Sequence, residues 1–114
     1  MRNYINLELY QRTSEVYELY FTTDGVPENL EGWTIYFTVK NSLEDPETSS
    51  IITKDIVITE DPGDGKVDIT LTPDDTDIIP KVYWYDITVK DEQGNVNVVA
   101  FGRVKVTKHA TQRT

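Results

Sequence analysis

Polar and apolar residues alternate along most of this chain, and that period of two predicts an all-β fold of two packed antiparallel sheets. Two further observations agree. Turn-forming clusters divide the alternating runs at short intervals, and no helical pattern is long enough to cross between parallel strands. The 114 residues suit one domain, which at this size buries about 65% of the surface its unfolded chain exposes. The expected organisation is a single domain over residues 1–107 and a polar tail over residues 108–114, with no internal repeat.

In chain order, Tyr4 to Tyr10 and Glu15 to Thr22 come first, around Gln11-Arg12-Thr13-Ser14. The lack of Gly and Pro there would also permit a helix, but the frequent Tyr, Ile, Val, Phe and Thr favour strands. Trp33 to Lys40 alternates, directing Trp33, Ile35, Phe37 and Val39 inward. Asn41 to Ser50, with Pro46 and Ser or Thr at 42, 48, 49 and 50, reads as an exposed loop. Ile51 to Thr59 is rich in β-branched residues and is expected to bury Ile52, Ile56 and Ile58. Asp61-Pro62-Gly63-Asp64-Gly65 is a strong breaker, expected to join its flanking strands as a hairpin.

Lys66 to Thr72 alternates without a break and places Val67, Ile69 and Leu71 on the core. Pro73 to Asp77 reads as a single helical turn, since Pro suits a first helical position and acids suit the first turn. Lys81 to Val89 offers Tyr83, Tyr85, Ile87 and Val89 on one face, and Asp91 to Asn95 forms a hairpin loop. Val96 to Val106 offers Val98, Ala100, Val104 and Val106, with Gly102 as a bulge or close-approach point.

These runs give an immunoglobulin-like antiparallel β-sandwich of six to eight strands. Trp33, early in a middle strand, with Tyr83 and Tyr85 on a late one, can fill the place of the disulfide and Trp of antibody domains. A tyrosine hydroxyl near the end of the preceding turn would then bond back to backbone around Asp75 or Thr76.

The composition excludes several functions. There is no cysteine, hence no disulfide, thiolate zinc site or cysteine nucleophile. A formal charge of −9 disfavours nucleic acid as a partner, because phosphate backbones are held by clustered Lys and Arg. No apolar run is long enough to cross a membrane, and Met1 to Tyr4 lacks the apolar stretch of a secretory signal. The one histidine, His109, has no acid, nucleophile or metal partner nearby in sequence. Asp61 to Gly65 superficially matches a calcium loop, but Thr72 stands at the twelfth position where an acid is needed. Asp74, Asp75 and Asp77 are better explained by the helical turn. No catalytic residues, metal ligands or cofactor are therefore expected, and the chain reads as a binding or structural module.

The same alternation that defines the core defines an outer face. With Tyr83, Tyr85 and Ile87 inward, Val82 and Trp84 point out, as do Tyr36 on its strand and Val99 and Phe101 on theirs. In an immunoglobulin-like sandwich these strands lie side by side, so Tyr36, Trp84, Val99 and Phe101 form a candidate protein interface. Three aromatic rings together reach the several-hundred-Å² scale of a contact surface. The competing expectation is that the N-terminal strand, a loop or the tail covers this face; a one-residue bulge would reverse it. Stacking on sugars is a further use.

Several segments in order resemble a known family, the immunoglobulin-like N-terminal domain of phage baseplate upper proteins and related tail structural proteins. They are Leu30 to Lys40, Ile51 to Asp55, Gly65 to Thr76, Tyr83 to Ile87 and Phe101 to Val106, spanning roughly residues 16–107. The resemblance implies a β-sandwich that packs in a virion against copies of itself or other virion structural proteins, as a homo-oligomer. It supplies no catalytic residues. It leaves open whether the place is baseplate, tail, neck, head-fibre anchor or capsid decoration, because the receptor-binding or coiled-coil extension of larger members is not present. The lack of a signal-peptide stretch and of cysteine fits assembly in a bacterial host cytoplasm and release by lysis. A carbohydrate- or cell-surface-binding sandwich is the alternative.

Overall fold

In the computed structural model, which describes residues 3–58 and 61–111, the described residues form ten strands, seven of them along the alternating runs and the others short. They are β1 (Asn3–Tyr4), β2 (Leu7–Tyr10), β3 (Glu15–Tyr20), β4 (Thr22–Thr23), β5 (Val26–Pro27), β6 (Thr34–Lys40), β7 (Ile52–Val57), β8 (Lys66–Leu71), β9 (Val82–Lys90) and β10 (Val96–Thr107). In the larger sheet β10, β9, β6 and β7 are antiparallel neighbours in that order, and β1 and β2 run parallel to β10 along its free edge. The facing sheet pairs β3 with β8, and β4 and β5 form a small ladder of their own. This order matches the G-F-C-C′ sheet of a variable-type immunoglobulin sandwich, with β3 and β8 in the places of B and E.

Alternation places the core as expected along most strands. Ile35, Phe37, Val39, Ile52, Val67, Ile69, Leu71, Tyr83, Tyr85, Ile87, Val89, Ala100, Val104 and Val106 are buried in one cluster. Ile56 and Ile58 are only half-buried, because they lie toward the open end of edge strand β7. Thr59, the last residue of the expected run, lies outside the described residues, as do residues 112–114 of the tail. From residue 3 to residue 22 the chain forms β1, β2, β3 and the start of β4, with a turn at Gln11 and Arg12 between β2 and β3.

Three sequence expectations are corrected. Phe37, not Trp33, fills the centre: its ring packs on Tyr85 at 5.8 Å and on Tyr17 at 6.4 Å. Trp33 precedes the first paired residue of β6, so it sits at the mouth of the sandwich, half-buried and edge-on to Phe21 at 5.6 Å. The tyrosine hydroxyl that bonds back is Tyr83, donating to the Ile79 carbonyl at 2.6 Å rather than to residue 75 or 76. Thr76 is engaged elsewhere, as described below.

The third correction concerns Asp61 to Gly65, which does not close a hairpin. β7 pairs with β6 and β8 pairs with β3, so the turn carries the chain from one sheet to the other. The cause is the core itself: Ile52 and the Val67-Ile69-Leu71 row bury against it from opposite sides. Gly65 adopts φ +63°, and a Cβ there would lie 2.5 Å from the Phe21 carbonyl oxygen, so the crossing needs glycine.

Two polar staples tie the sheets together at the other end. The turn after β8 is a single helical turn in which the Thr76 N–H donates to the Thr72 carbonyl at 3.2 Å. Asp75 Oδ2 accepts the Thr72 N–H at 2.7 Å, while Thr72 Oγ1 accepts the Asp75 N–H at 3.2 Å, a reciprocal cap. Fully buried Thr76 then donates its hydroxyl to Thr13 O at 2.8 Å and accepts the Thr13 N–H at 2.9 Å. That pair fixes the crossing from β2 to β3, where Arg12 takes a left-handed φ of 62°. Asp75 also meets Lys54 Nζ at 2.8 Å. Burial, the largest single influence, pushes the Asp75 carboxyl up, but Lys54 and the two Thr72 donors together outweigh it and hold it below its ordinary range.

Gly102 is a close-approach point. Any Cβ would collide with the Ile5 carbonyl, which receives the Tyr85 hydroxyl at 2.7 Å, while the Ile5 N–H donates to Phe101 O at 2.9 Å. Gly102→Ala is expected to cost about 2–3 kcal/mol by overpacking. Urea unfolding would show this as a lowered midpoint at unchanged slope; an unmoved midpoint would mean that the N-terminal strand yields freely.

Burial pushes the Tyr17 phenol up to about 12, helped by the charge of Glu15 and by Tyr85, and burial also raises Tyr83 and Tyr85. These phenols are neutral in the fold and ionise more readily when unfolded, where the ordinary value is 10.0. The contribution of Tyr17 is complete below pH 10.0 and is lost as pH rises through about 12, and those of Tyr83 and Tyr85 are lost in the same direction. Four late-titrating tyrosines among the seven, the three buried ones and Tyr20, whose hydroxyl donates to Glu18, with melting temperature falling as pH rises above 10.0, are the expected results of an absorbance titration and a thermal series.

Candidate protein interface

The outer face of the larger sheet is built from positions that alternate with the core. Register sets its rows. Arg103, Trp84 and Lys40 stand side by side on β10, β9 and β6; the next row is Tyr4, Phe101, Asp86, Thr38 and Thr53 across β1, β10, β9, β6 and β7. The row beyond holds Val98, Thr88, Tyr36 and Asp55.

Tyr36, Trp84 and Phe101 all lie on this face and are all half-buried. They do not form one patch. Trp84 and Phe101 are diagonal neighbours on adjacent strands, but the Asp86–Thr38 row separates Tyr36 from Trp84. Two of the rings also have a neighbour from their own chain. The Arg103 guanidinium lies 5.0 Å from the centre of the Trp84 ring, and Tyr4 meets Phe101 edge-on at 5.2 Å.

Val99 is corrected. Val98 pairs with Thr88 and Ala100 pairs with Ile87, so Val99 is the extra residue of a β-bulge. The bulge turns Val99 against the core and Val98 outward beside Phe101, Asp86 and Leu43. Up to the bulge the faces are reversed; beyond it Phe101 keeps its outward place.

The N-terminal strands do not cover this face. β1 and β2 extend the sheet sideways beyond β10 and add Tyr4 to the surface. What overhangs it is the loop between β6 and β7, anchored by Lys40 Nζ donating to Asp45 O at 3.0 Å. Its Leu43 leans toward Phe101 and Val98, and its Glu47 borders a groove of about 560 Å³ floored by Tyr36, Thr38, Thr53 and Thr88. Asp55, Asp86, Lys90 and Val96 complete that groove.

Sequence reading missed Tyr4, Val98, Asp86 and Arg103 as members of the face. Alternation alone places Asp86 with Trp84 and Arg103 with Phe101, so these two were legible; the Val98 position depends on the bulge, and Tyr4 on a parallel pairing. Elsewhere, His109 Nε2 lies 2.9 Å from Gln11 O and its ring meets Tyr10 edge-on. Among the described residues no group of three or more His, Cys, Asp or Glu is placed to hold a metal ion, and no helix is long and apolar enough to cross a membrane.

This geometry was compared with solved structures. The N-terminal domain of phage TP901-1 ORF48 superposes with a TM-score of 0.54 at 12% identity, covering 94% of this chain and 98% of that one. The fold is immunoglobulin-like. The extracellular domain of the voltage-gated sodium channel β4 subunit, described as forming parallel homodimers in cell–cell adhesion, gives a TM-score of 0.52 at 12% identity, covering 96% of both chains. A second sodium channel β-subunit structure, from work on multimeric cell-adhesive interactions, gives 0.50 at 12% identity over 95% of this chain and 93% of that one. No family model matches the sequence, and no curated protein matches it. The likeness is one of fold, spanning nearly the whole of each chain.

The bulge makes a sharp prediction. Val99→Asp is expected to destabilise by about 2–3 kcal/mol, since it sets a charge against the core. Val98→Asp, one residue away, should cost no more than about 0.5 kcal/mol. Paired denaturation curves check this, and equal costs would mean that the bulge lies elsewhere.

Proposed function

We propose that this chain is a structural protein of a phage virion, acting through protein–protein contacts on the outer face of its larger sheet and not as an enzyme. The observation that carries the reading is the near end-to-end likeness to a phage protein's N-terminal domain, with the same fold over 94% of this chain. Two features support it. The face presents aromatic rings and an arginine on a sheet, residue types enriched at contact surfaces. Immunoglobulin-like neighbours of similar TM-score include homodimers, which accords with a chain that associates with itself and with other virion proteins. On this reading it assembles in the host cytoplasm, at the baseplate, tail, neck, head-fibre anchor or capsid surface, and needs no cofactor, membrane or nucleic acid.

A second reading rests on the groove beside Tyr36. An aromatic ring with three threonine hydroxyls and the Asp55 and Asp86 carboxylates is chemistry that also suits a glycan.

Purified particles from a lysed host are the test. Peptides of this chain are expected in them by mass spectrometry, and Trp84→Ala combined with Phe101→Ala should lower incorporation several-fold. The melting temperature of that variant should fall by only a few degrees. Absence from particles, together with binding on a glycan array that Tyr36→Ala abolishes, would replace the first reading by the second.

A further inference from the structure

Asp86 lies near the middle of the outer face, half-buried, between Phe101 on one side and Thr38 on the other. Its carboxylate accepts the Thr88 hydroxyl at 3.1 Å, and among the described residues it enters no ion pair. Arg103 is one row away on the same face, stacked on Trp84 and likewise outside any ion pair there. A carboxylate and a guanidinium, each on a rigid strand and each without an opposite charge, are complementary to one another across a contact but not within one chain.

Charge over the whole face points the same way. The chain carries −9, yet the strand positions here alternate in sign: Arg103, Lys40, Lys105 and Lys90 against Asp86, Asp55 and Glu8. With these four basic against three acidic positions, two copies of an otherwise acidic chain can meet here with little net repulsion.

Resting on the contact-surface reading above, we propose that the outer face pairs with the same face of a second copy, with Asp86 of each receiving Arg103 of the other. The two-fold axis lies in the contact plane, across the strands, between the Arg103–Trp84–Lys40 row and the Phe101–Asp86–Thr38 row. That axis lays each row on the other. Asp86 falls between Arg103 and Lys40 of the facing copy, and Phe101 falls under its Arg103, a cation over a ring face. Because the contact is isologous, both ion pairs form together. Five strands spaced by about 4.8 Å and the four rows that this axis lays on one another, spaced by about 6.7 Å, give roughly 600–650 Å² per copy, the lower end of the range for a specific interface.

Sedimentation equilibrium on the full chain tests this. Wild type is expected to dimerise reversibly and to weaken as salt is raised. Asp86→Arg and Arg103→Asp should each weaken the dimer by about 100-fold, since each sets two like-charge contacts in place of two ion pairs. An equimolar mixture of those two variants should recover association to within about tenfold of wild type, because the mixed pair restores both contacts. Asp86→Asn and Arg103→Gln, which disturb the fold least, should each weaken it by about tenfold. A wild type monomeric at every concentration, variants that dimerise like wild type, or a mixture that stays monomeric would each overturn the inference. A monomer still found in particles would leave the virion reading standing; a dimer with these properties that is absent from particles would do the reverse.

Discussion

The Tyr85 side chain joins three parts of the molecule that would otherwise be independent. Its ring is buried against Phe37, and through Phe37 against Tyr17, so it connects β9, β6 and β3 across the two sheets. Its hydroxyl reaches past Gly102 to the carbonyl of Ile5, fixing the break between β1 and β2 against β10. Aromatic burial supplies the driving force. The hydrogen bond supplies direction, and the missing Cβ at residue 102 supplies room. Because Ile5 is held there, β1 runs parallel to β10 and places Tyr4 on Phe101. The composition of the outer face is therefore set from inside the core.

At the other end of the sandwich the work is done by polar groups. Thr76 holds the crossing at Thr13, and Asp75 caps its own turn while meeting Lys54. Lys54 occupies an inward position on edge strand β7, opposite Phe37. An inward lysine on an edge strand also discourages pairing with another sheet edge. The acids of residues 74–77 could pass for a cation site in sequence. In the fold Asp75 neutralises a lysine and closes a turn. Tyr17 shows the opposite case, a buried hydroxyl with no hydrogen-bond partner among the described residues, whose ring rather than its oxygen serves the core.

Protecting the edges leaves the flat outer face as the surface with unused chemistry. Its rings are partly covered by Arg103 and Tyr4, which lowers the apolar area open to water while keeping it available to a partner. The overhanging loop from Asn41 to Ser50 frames the face on one side, so a partner approaches over β9 and β10.

Alternation along the sequence by itself determined where the long strands lie, most of the residues that make the core, and that Tyr36, Trp84 and Phe101 lie outside it. It could do so because side chains on a strand point to opposite faces in strict turn. That rule is local, and it failed wherever the outcome was not. The bulge at Val99 depends on how β10 matches β9, so it exchanged the roles of Val98 and Val99 unseen. The turn at Asp61 to Gly65 looks the same whether its strands pair or part, and only the demand to bury Ile52 and Ile69 from opposite sides decided it. Trp33 and Phe37 share a parity, and only the position of the facing sheet chose Phe37 for the centre. The face predicted from parity thus kept its location, but the tertiary structure decided that its rings stand apart, with Asp86 and Arg103 between and beside them.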